Sequence, residues 1–336
     1  MRITPIGTCR IHTPLKRGSQ RYPIALELGR NYGFVHTGAE ALQLIRFLHG
    51  ELEIPPEVAP LVVSGGDISG FAEQSWSPAD LNVVEISSAK KLLCGDHAVQ
   101  INYVYRYFAD FFANRERSRT FWSLIRAGHR GDLNTYLRDE RSYRLLSHED
   151  RDLLRSISFE QQSFKNIKSE MTEIVDRFDS GTVMFVTHVN AKTPDEEIIP
   201  SRDRLIRWVK LAAEQLGVKA FDPTAAMKAA GQEYALDNGG LDLTHYTPSF
   251  SDRIYDELHR FHIAELMGAA LEGGPDDASA DAAATAAAHF ETMLQVGDFF
   301  ETSKEIHAAV ARSPNSIPLI ELRGIVRSRI GDFAGA

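Results

Sequence analysis

Three side chains stand out for the chemistry they could do: Cys9, Asp242 and His245. Cys9 follows a short apolar strand pattern at the point where the chain would turn into a helix. Backbone N–H groups at such a turn lack helical partners, and their partial positive charge favours a thiolate. Arg10 adds to this if its side chain turns inward. A histidine could then act as general base while an aspartate orients its other ring nitrogen. Asp242 and His245 are close enough in sequence to present both groups from one turn. Such a set suits acyl transfer, with the acyl group passing to Cys9 and then to water or an acceptor hydroxyl. The backbone N–H of Cys9 together with Asn190 would stabilise the tetrahedral oxyanion. The plainer alternatives are a small buried apolar thiol for Cys9, a capping or core imidazole for His245 and a turn residue for Asp242.

The elements that must position these residues alternate between strand and helix patterns. Arg2–Ile6 reads as an opening strand, and LNVVEI at 81–86 and GTVMFVTHV at 181–189 as buried ones. VKAF at 218–221 is a further short strand. Leu42, Ile45 and Leu48 mark a helical face within 39–49. Leu205, Trp208, Val209, Ala212 and Leu216 mark another within 201–216, with Ser201 to cap its start and Gly217 its end. A helix over 223–230 and a long one over 248–266 follow. This order predicts an α/β domain over 1–270, a mostly parallel sheet flanked by helices. Ligands of such sheets bind beyond the carboxyl ends of the strands. Thr8, Cys9 and Arg10, Ser87 and Ser88, His188 and Asn190, and the irregular stretch 237–245 all fall at that edge. Thr8 is a secondary candidate for the nucleophile, and His188 a second polar group in the cleft. Thr37 is expected to cap the helix that follows His36.

At this point the motifs resemble a known family. Gly7-Thr8-Cys9 after the first strand and Asp242-x-x-His245 before the last helix are similar to the first and last blocks of the SGNH (GDSL-type) hydrolase superfamily, which read G-D-S and D-x-x-H. Cysteine in the third position is more similar to the GSCFA group and to WcbI-like capsule-biosynthesis proteins. The resemblance implies a flavodoxin-like sheet, with Cys9 as nucleophile. It also implies that middle blocks supply a Gly and an Asn to the oxyanion hole. No G-x-N-D occurs. Asn190 is the best match to the Asn, and Ser87 or Ser88 stands where the Gly would lie. The implied activity is acyl transfer or ester or thioester hydrolysis, acting on a sugar or polysaccharide precursor.

Residues 98–178 break the alternation. They read as a helical insertion rich in aromatics, with Ser147 and Asp150 as a capping pair. Between Arg106 and Arg155 lie eleven Arg and no Lys against eight acidic residues, a locally basic stretch in a chain of net charge -9. Such a cap could hold the phosphates of an acyl-CoA donor. No other cofactor and no metal is expected. The overall acidity disfavours a nucleic-acid partner, and the two cysteines exclude a disulfide scaffold; Cys94, among apolar residues, is expected to pack. No apolar run is long enough to span a bilayer, and the N-terminus lacks a signal-peptide core, so a cytoplasmic location is expected. Residues 271–288 read as a linker. Gly297-Asp298-Phe299 recurs as Gly331-Asp332-Phe333, an echo that makes 289–336 similar to a tetratricopeptide repeat. That tail could recruit a protein partner, and the competing reading of the whole chain is a non-catalytic binding or scaffold module.

Overall fold

A computed structural model describes residues 1–178, 182–195 and 197–267 of the chain. The expected linker at 271–288 and the repeat-like segment at 289–336 lie outside the described residues. The chain divides into two compact units. Among the described residues the larger comprises 2–15 and 26–251, and the smaller comprises Met1, 16–25 and 252–267.

The main sheet confirms the expected α/β class. Its strands are β1 (Arg2–Ile6), β2 (Ala25–Leu26), β3 (Leu81–Ile86), β7 (Thr182–Thr187) and β8 (Lys219–Phe221), in the order β2-β1-β3-β7-β8. The pairs β1–β3, β3–β7 and β7–β8 are all parallel, with Ile6 opposite Val84 and Val84 opposite Phe185. Every residue of β3 is buried, as expected for a strand covered on both faces. Helix α1 (Cys9–Ser19) follows β1, and α2 (Gly38–Leu48) starts from an N-cap at Thr37, whose side chain accepts the Glu40 N–H.

Between β3 and β7 the chain makes its excursion. It is less purely helical than its aromatic content suggests. Strands β4 (Lys90–Cys94), β5 (His97–Ala98) and β6 (Ile157–Gln161) form a second, antiparallel sheet in the order β5-β4-β6. The segment ISFEQ at 157–161 is a strand because it pairs with β4, a non-local partner that local pattern cannot reveal. Helices α3 (Ile101–Tyr107), α4 (Arg115–Ala127), α5 (Arg130–Asp139) and α6 (His148–Ser156) lie between β5 and β6. Their aromatics form the local core, with Phe112 stacked on Trp122 at 5.7 Å and Phe121 set edge-on to both. Ser147 caps α6 through the Asp150 N–H, as expected. Helix α7 (Phe164–Asp176), at the end of the excursion, packs between α2 and α8 (Pro200–Leu216) and so belongs to the helical layer of the main sheet.

Helix α8 begins with Pro200 rather than with a Ser201 cap: proline pre-sets the helical φ and needs no N–H partner. Gly217 ends it in the left-handed conformation, φ 68°. Helix α9 (Thr224–Ala230) follows β8, and α10 (Pro248–Leu258) passes into a π-helical turn at His259–Ile263. In the smaller unit, the rings of Tyr22, Tyr255 and His259 pack on one another, and Arg17 pairs with Asp252.

Candidate active site

The turn from β1 into α1 carries Thr8, Cys9 and Arg10. Gly7 precedes it because a β-carbon there would lie 2.5 Å from the Glu85 β-carbon and 2.7 Å from Ile11. The chain therefore runs directly against β3. Glu85, wholly buried in β3, is the residue that organises the turn. One of its oxygens accepts the Thr8 N–H at 2.7 Å and the Thr8 hydroxyl at 2.6 Å. The other accepts Arg10 Nε–H at 2.7 Å and an Nη2–H at 2.5 Å. Burial alone would raise the Glu85 pKa, but the Arg10 charge and the Thr8 bonds outweigh it and hold Glu85 below the ordinary carboxylate value.

Arg10 does turn inward, with 6% of its surface exposed, but Glu85 neutralises it. The expectation of a thiolate at Cys9 fails chiefly because burial pushes the thiol pKa up, with Glu85 partly offsetting the favourable Arg10 charge. Cys9 is a neutral thiol at rest and needs a base. Thr8, buried with its hydroxyl committed to Glu85, is a scaffold for the turn rather than a nucleophile.

The base loop is built locally. Asp242 Oδ1 accepts the backbone N–H groups of Thr244 and His245, an aspartate turn that folds the chain back on itself. Its Oδ2 then lies 2.8 Å from His245 Nδ1. The Thr244 hydroxyl, and after it the His245 ring, hold the Asp242 carboxyl well below the usual carboxylate range. The carboxylate makes Nδ1 a donor, so neutral His245 carries its lone pair on Nε2. Arg202 of α8, which the sequence reading passed over, ties this loop down by donating to the carbonyls of Leu243 at 3.1 Å and Val189 at 3.3 Å. Burial, and next the Arg10 charge, bring the Arg202 pKa down to about 10.

Cys9 and His245 line the same cleft, of about 640 Å³, with Thr8, Arg10 and Ser88 of the expected set. The excursion between β3 and β7 forms its far wall through Asn102, Trp122, Arg126 and Phe159. Of the eleven arginines counted there, Arg126 lines the cleft, its guanidinium 6.0 Å from the Phe159 ring centre. Among the described residues neither Arg126 nor Lys90, also in the lining, has a carboxylate partner. Glu40 lines the cleft too, and burial pushes its pKa up to about 8.

His36 enters the lining as well, although the sequence placed it only at the start of a helix. Gln100 fixes its state. The Gln100 oxygen accepts the N–H groups of Asn102 and Tyr103, so its amide nitrogen donates, at 3.1 Å, to His36 Nε2. His36 Nδ1–H then faces Ser87 Oγ at 3.4 Å. Both ring nitrogens are occupied, and burial lowers the pKa, so His36 is a neutral lining group.

Four expected residues are not in the lining: Ser87, whose hydroxyl faces His36, Asp242, which sits on His245 Nδ1, and Asn190 and His188. Asn190 does not line the cleft: its amide donates to Asp203 at 2.9 Å, and its side chain borders a separate hollow between α8 and α9. The turn after β7 sends it toward α8, which no strand-end rule anticipates. His188 is buried behind Arg10 instead of facing the cleft. Its Nε2 accepts from Arg10 Nη1 at 3.0 Å and its Nδ1–H donates to the Val189 carbonyl at 3.0 Å. Burial, then the Arg10 charge, lower its pKa well below the ordinary value, so it stays neutral. Cys94 packs as expected, buried and bonded to Ser156 Oγ at 2.9 Å. Among the described residues no cluster of His, Cys, Asp and Glu could hold a metal ion, and no helix is long and apolar enough to cross a membrane.

Comparison with known proteins adds the following. The family model described as the TviD N-terminal domain matches residues 1–261. The "Vi polysaccharide biosynthesis protein TviD" of Salmonella typhi is 35% identical over 334 residues, covering 99% of this chain. The chain spans 40% of the length of that relative. No solved structure matches the chain at a significant level.

Proposed function

The chain belongs to the TviD N-terminal domain family, and from that premise we propose that it transfers an acyl group to a hydroxyl of a polysaccharide or its sugar precursor through Cys9, His245 and Asp242. The observation that carries the reading is that Cys9 lines one cleft with His245, whose Nδ1 is held 2.8 Å from a depressed Asp242 carboxylate. The relative's name supports the carbohydrate substrate. The order of the motifs supports an SGNH-like scheme.

The cycle follows from the protonation states. His245 Nε2 takes the proton of the neutral Cys9 thiol as sulfur attacks the carbonyl carbon of an acyl thioester, such as an acyl-CoA. The tetrahedral intermediate collapses, the donor's thiolate leaves, and the His245 imidazolium returns the proton to it. Asp242 stabilises the imidazolium without taking its proton. An acceptor hydroxyl next gives its proton to His245 and attacks the Cys9 thioester. An ester forms and the thiol is regenerated, while water in place of the hydroxyl would give hydrolysis. With Asn190 turned away, the oxyanion donors we assign are the Cys9 N–H and the Asn102 side-chain amide in the opposite wall. The unpaired Lys90 and Arg126, beside Trp122 and Phe159, suit the phosphates of the donor.

The test is turnover with an acyl-CoA panel and a carbohydrate acceptor. Cys9→Ala and His245→Ala should each lose at least about 1,000-fold in kcat, while Asp242→Asn should lose less than His245→Ala. Full activity in both alanine variants would refute the Cys9 and His245 assignment, and absence of turnover with every donor would leave the binding-module reading in its place.

A further inference from the structure

Arg10 touches more separate segments of the larger unit than any acyl-transfer residue does. From the first turn of α1 its guanidinium reaches Glu85 in β3 through two donors, His188 after β7 at 3.0 Å, and the carbonyl of Thr244 at 3.5 Å. Thr244 is the residue immediately before His245. The side chain therefore runs from the residue after the nucleophile to the residue before the base, and it is anchored behind by two buried groups. Nε and Nη2 meet Glu85 on one side of the planar fork while Nη1 meets both His188 and Thr244 on the other, a division that a lysine ammonium cannot reproduce. His188 takes part in its neutral form: with Nδ1–H given to Val189, its Nε2 presents only a lone pair to Arg10.

Resting on the cysteine reading above, we propose that Arg10 is a positioning residue that fixes the Cys9 turn against the His245 loop, with Glu85 and His188 as its anchors. We assign it no substrate contact, because four of its five N–H donors go to protein acceptors and little of its surface is exposed. Its effect on the reaction passes through the separation of sulfur and imidazole, where a displacement of about 1 Å is worth about 100-fold in rate.

The experiment combines kinetics with a double-mutant cycle. Arg10→Lys should lower kcat about 100-fold with KM for donor and acceptor changed less than about threefold. In a His245→Ala background the same substitution should cost less than about threefold, because the base it positions is gone. His188→Leu, which removes the lone pair, should lower kcat about tenfold or more, and His188→Gln, which restores an acceptor, should recover most of it. A raised KM with unchanged kcat in Arg10→Lys would overturn the proposal, as would a full additional loss in the His245→Ala background. If Arg10→Lys is unfolded by circular dichroism, the His188 pair decides: equal activity of Leu and Gln variants overturns the proposal. Unchanged turnover in Cys9→Ala would overturn the cysteine reading and this inference with it, a result distinct from any failure of the Arg10 variants.

Discussion

Replacing Glu85 by Gln should destabilise the protein severely, and for a reason specific to Arg10. The wild-type carboxylate receives four donors on two oxygens, two from Thr8 and two from Arg10, with none of its surface exposed. A glutamine amide has one oxygen. Its NH2 group must then face either the Thr8 donors or the guanidinium, and the guanidinium is left buried without a counter-charge. Breaking one side of a buried pair costs about 3–5 kcal/mol, a large part of the roughly 5–15 kcal/mol that holds a domain folded. At a slope of about 3 kcal/mol per molar urea, the unfolding midpoint should fall by roughly 1–1.7 M. The double variant Arg10→Met, Glu85→Gln should be more stable than Glu85→Gln alone, since it removes the orphaned charge while the amide oxygen still serves Thr8. Equilibrium urea unfolding of wild type, both single variants and the double variant measures this. A loss under about 1 kcal/mol in Glu85→Gln, or a double variant less stable than Glu85→Gln, would refute the reasoning.

Acid should weaken the fold before it reaches the ordinary carboxylate range. The folded pKa values of His12, His36 and His188 are lowered by burial, that of His12 to about 4, so below pH 6.5 the unfolded chain binds protons that the native one refuses. This histidine contribution is full above that point and falls as pH drops, whereas that of Glu40, whose folded pKa is raised, is lost as pH rises. The His12 contribution amounts to about 3 kcal/mol by pH 4, and urea midpoints at pH 7, 6 and 5 should decline in order, less steeply in His12→Leu. The Glu85 contribution, from a depressed folded pKa, is present above about pH 4.5 and disappears only at lower pH. Alkylation of Cys9 by iodoacetamide should be slow at pH 7 and still rising past pH 9, since burial raises its pKa. It should stay faster than at Cys94, which is almost fully enclosed. Asn190→Ala should keep turnover within about threefold of wild type, because Asn190 bonds Asp203 outside the cleft.

Cys9, His245 and Asp242 were legible in the sequence because their placement follows from local rules: a strand-to-helix turn, and an aspartate turn that needs only the Asp242-x-x-His245 spacing. The strands β1, β3, β7 and β8 were legible as apolar runs, and their alternation with helices pointed to a parallel sheet, while their order comes only from the structure. Glu85 was missed although it carries a usable signal. A carboxylate inside the buried run LNVVEI must have a charged or donor-rich partner, and Thr8 and Arg10, in the turn after the neighbouring strand and at the start of α1, are the partners it finds. Asn190 and His188 were misplaced because the strand-end rule assigns an edge and not a side-chain direction, which the packing of α8 and the reach of Arg10 decide. The thiolate expectation counted Arg10 as a free charge and could not see its partner. Ile157–Gln161 escaped as a strand because its pairing with Lys90–Cys94 spans the whole excursion.

The central claim is a covalent acyl group on Cys9. Wild-type protein incubated briefly with an acyl-CoA donor and no acceptor, quenched in acid and digested, should yield the peptide containing Cys9 with the mass of one acyl group. The adduct should be absent in Cys9→Ala and strongly reduced in His245→Ala. Turnover of donor with no adduct on Cys9, or an equal adduct in Cys9→Ala, would contradict the account.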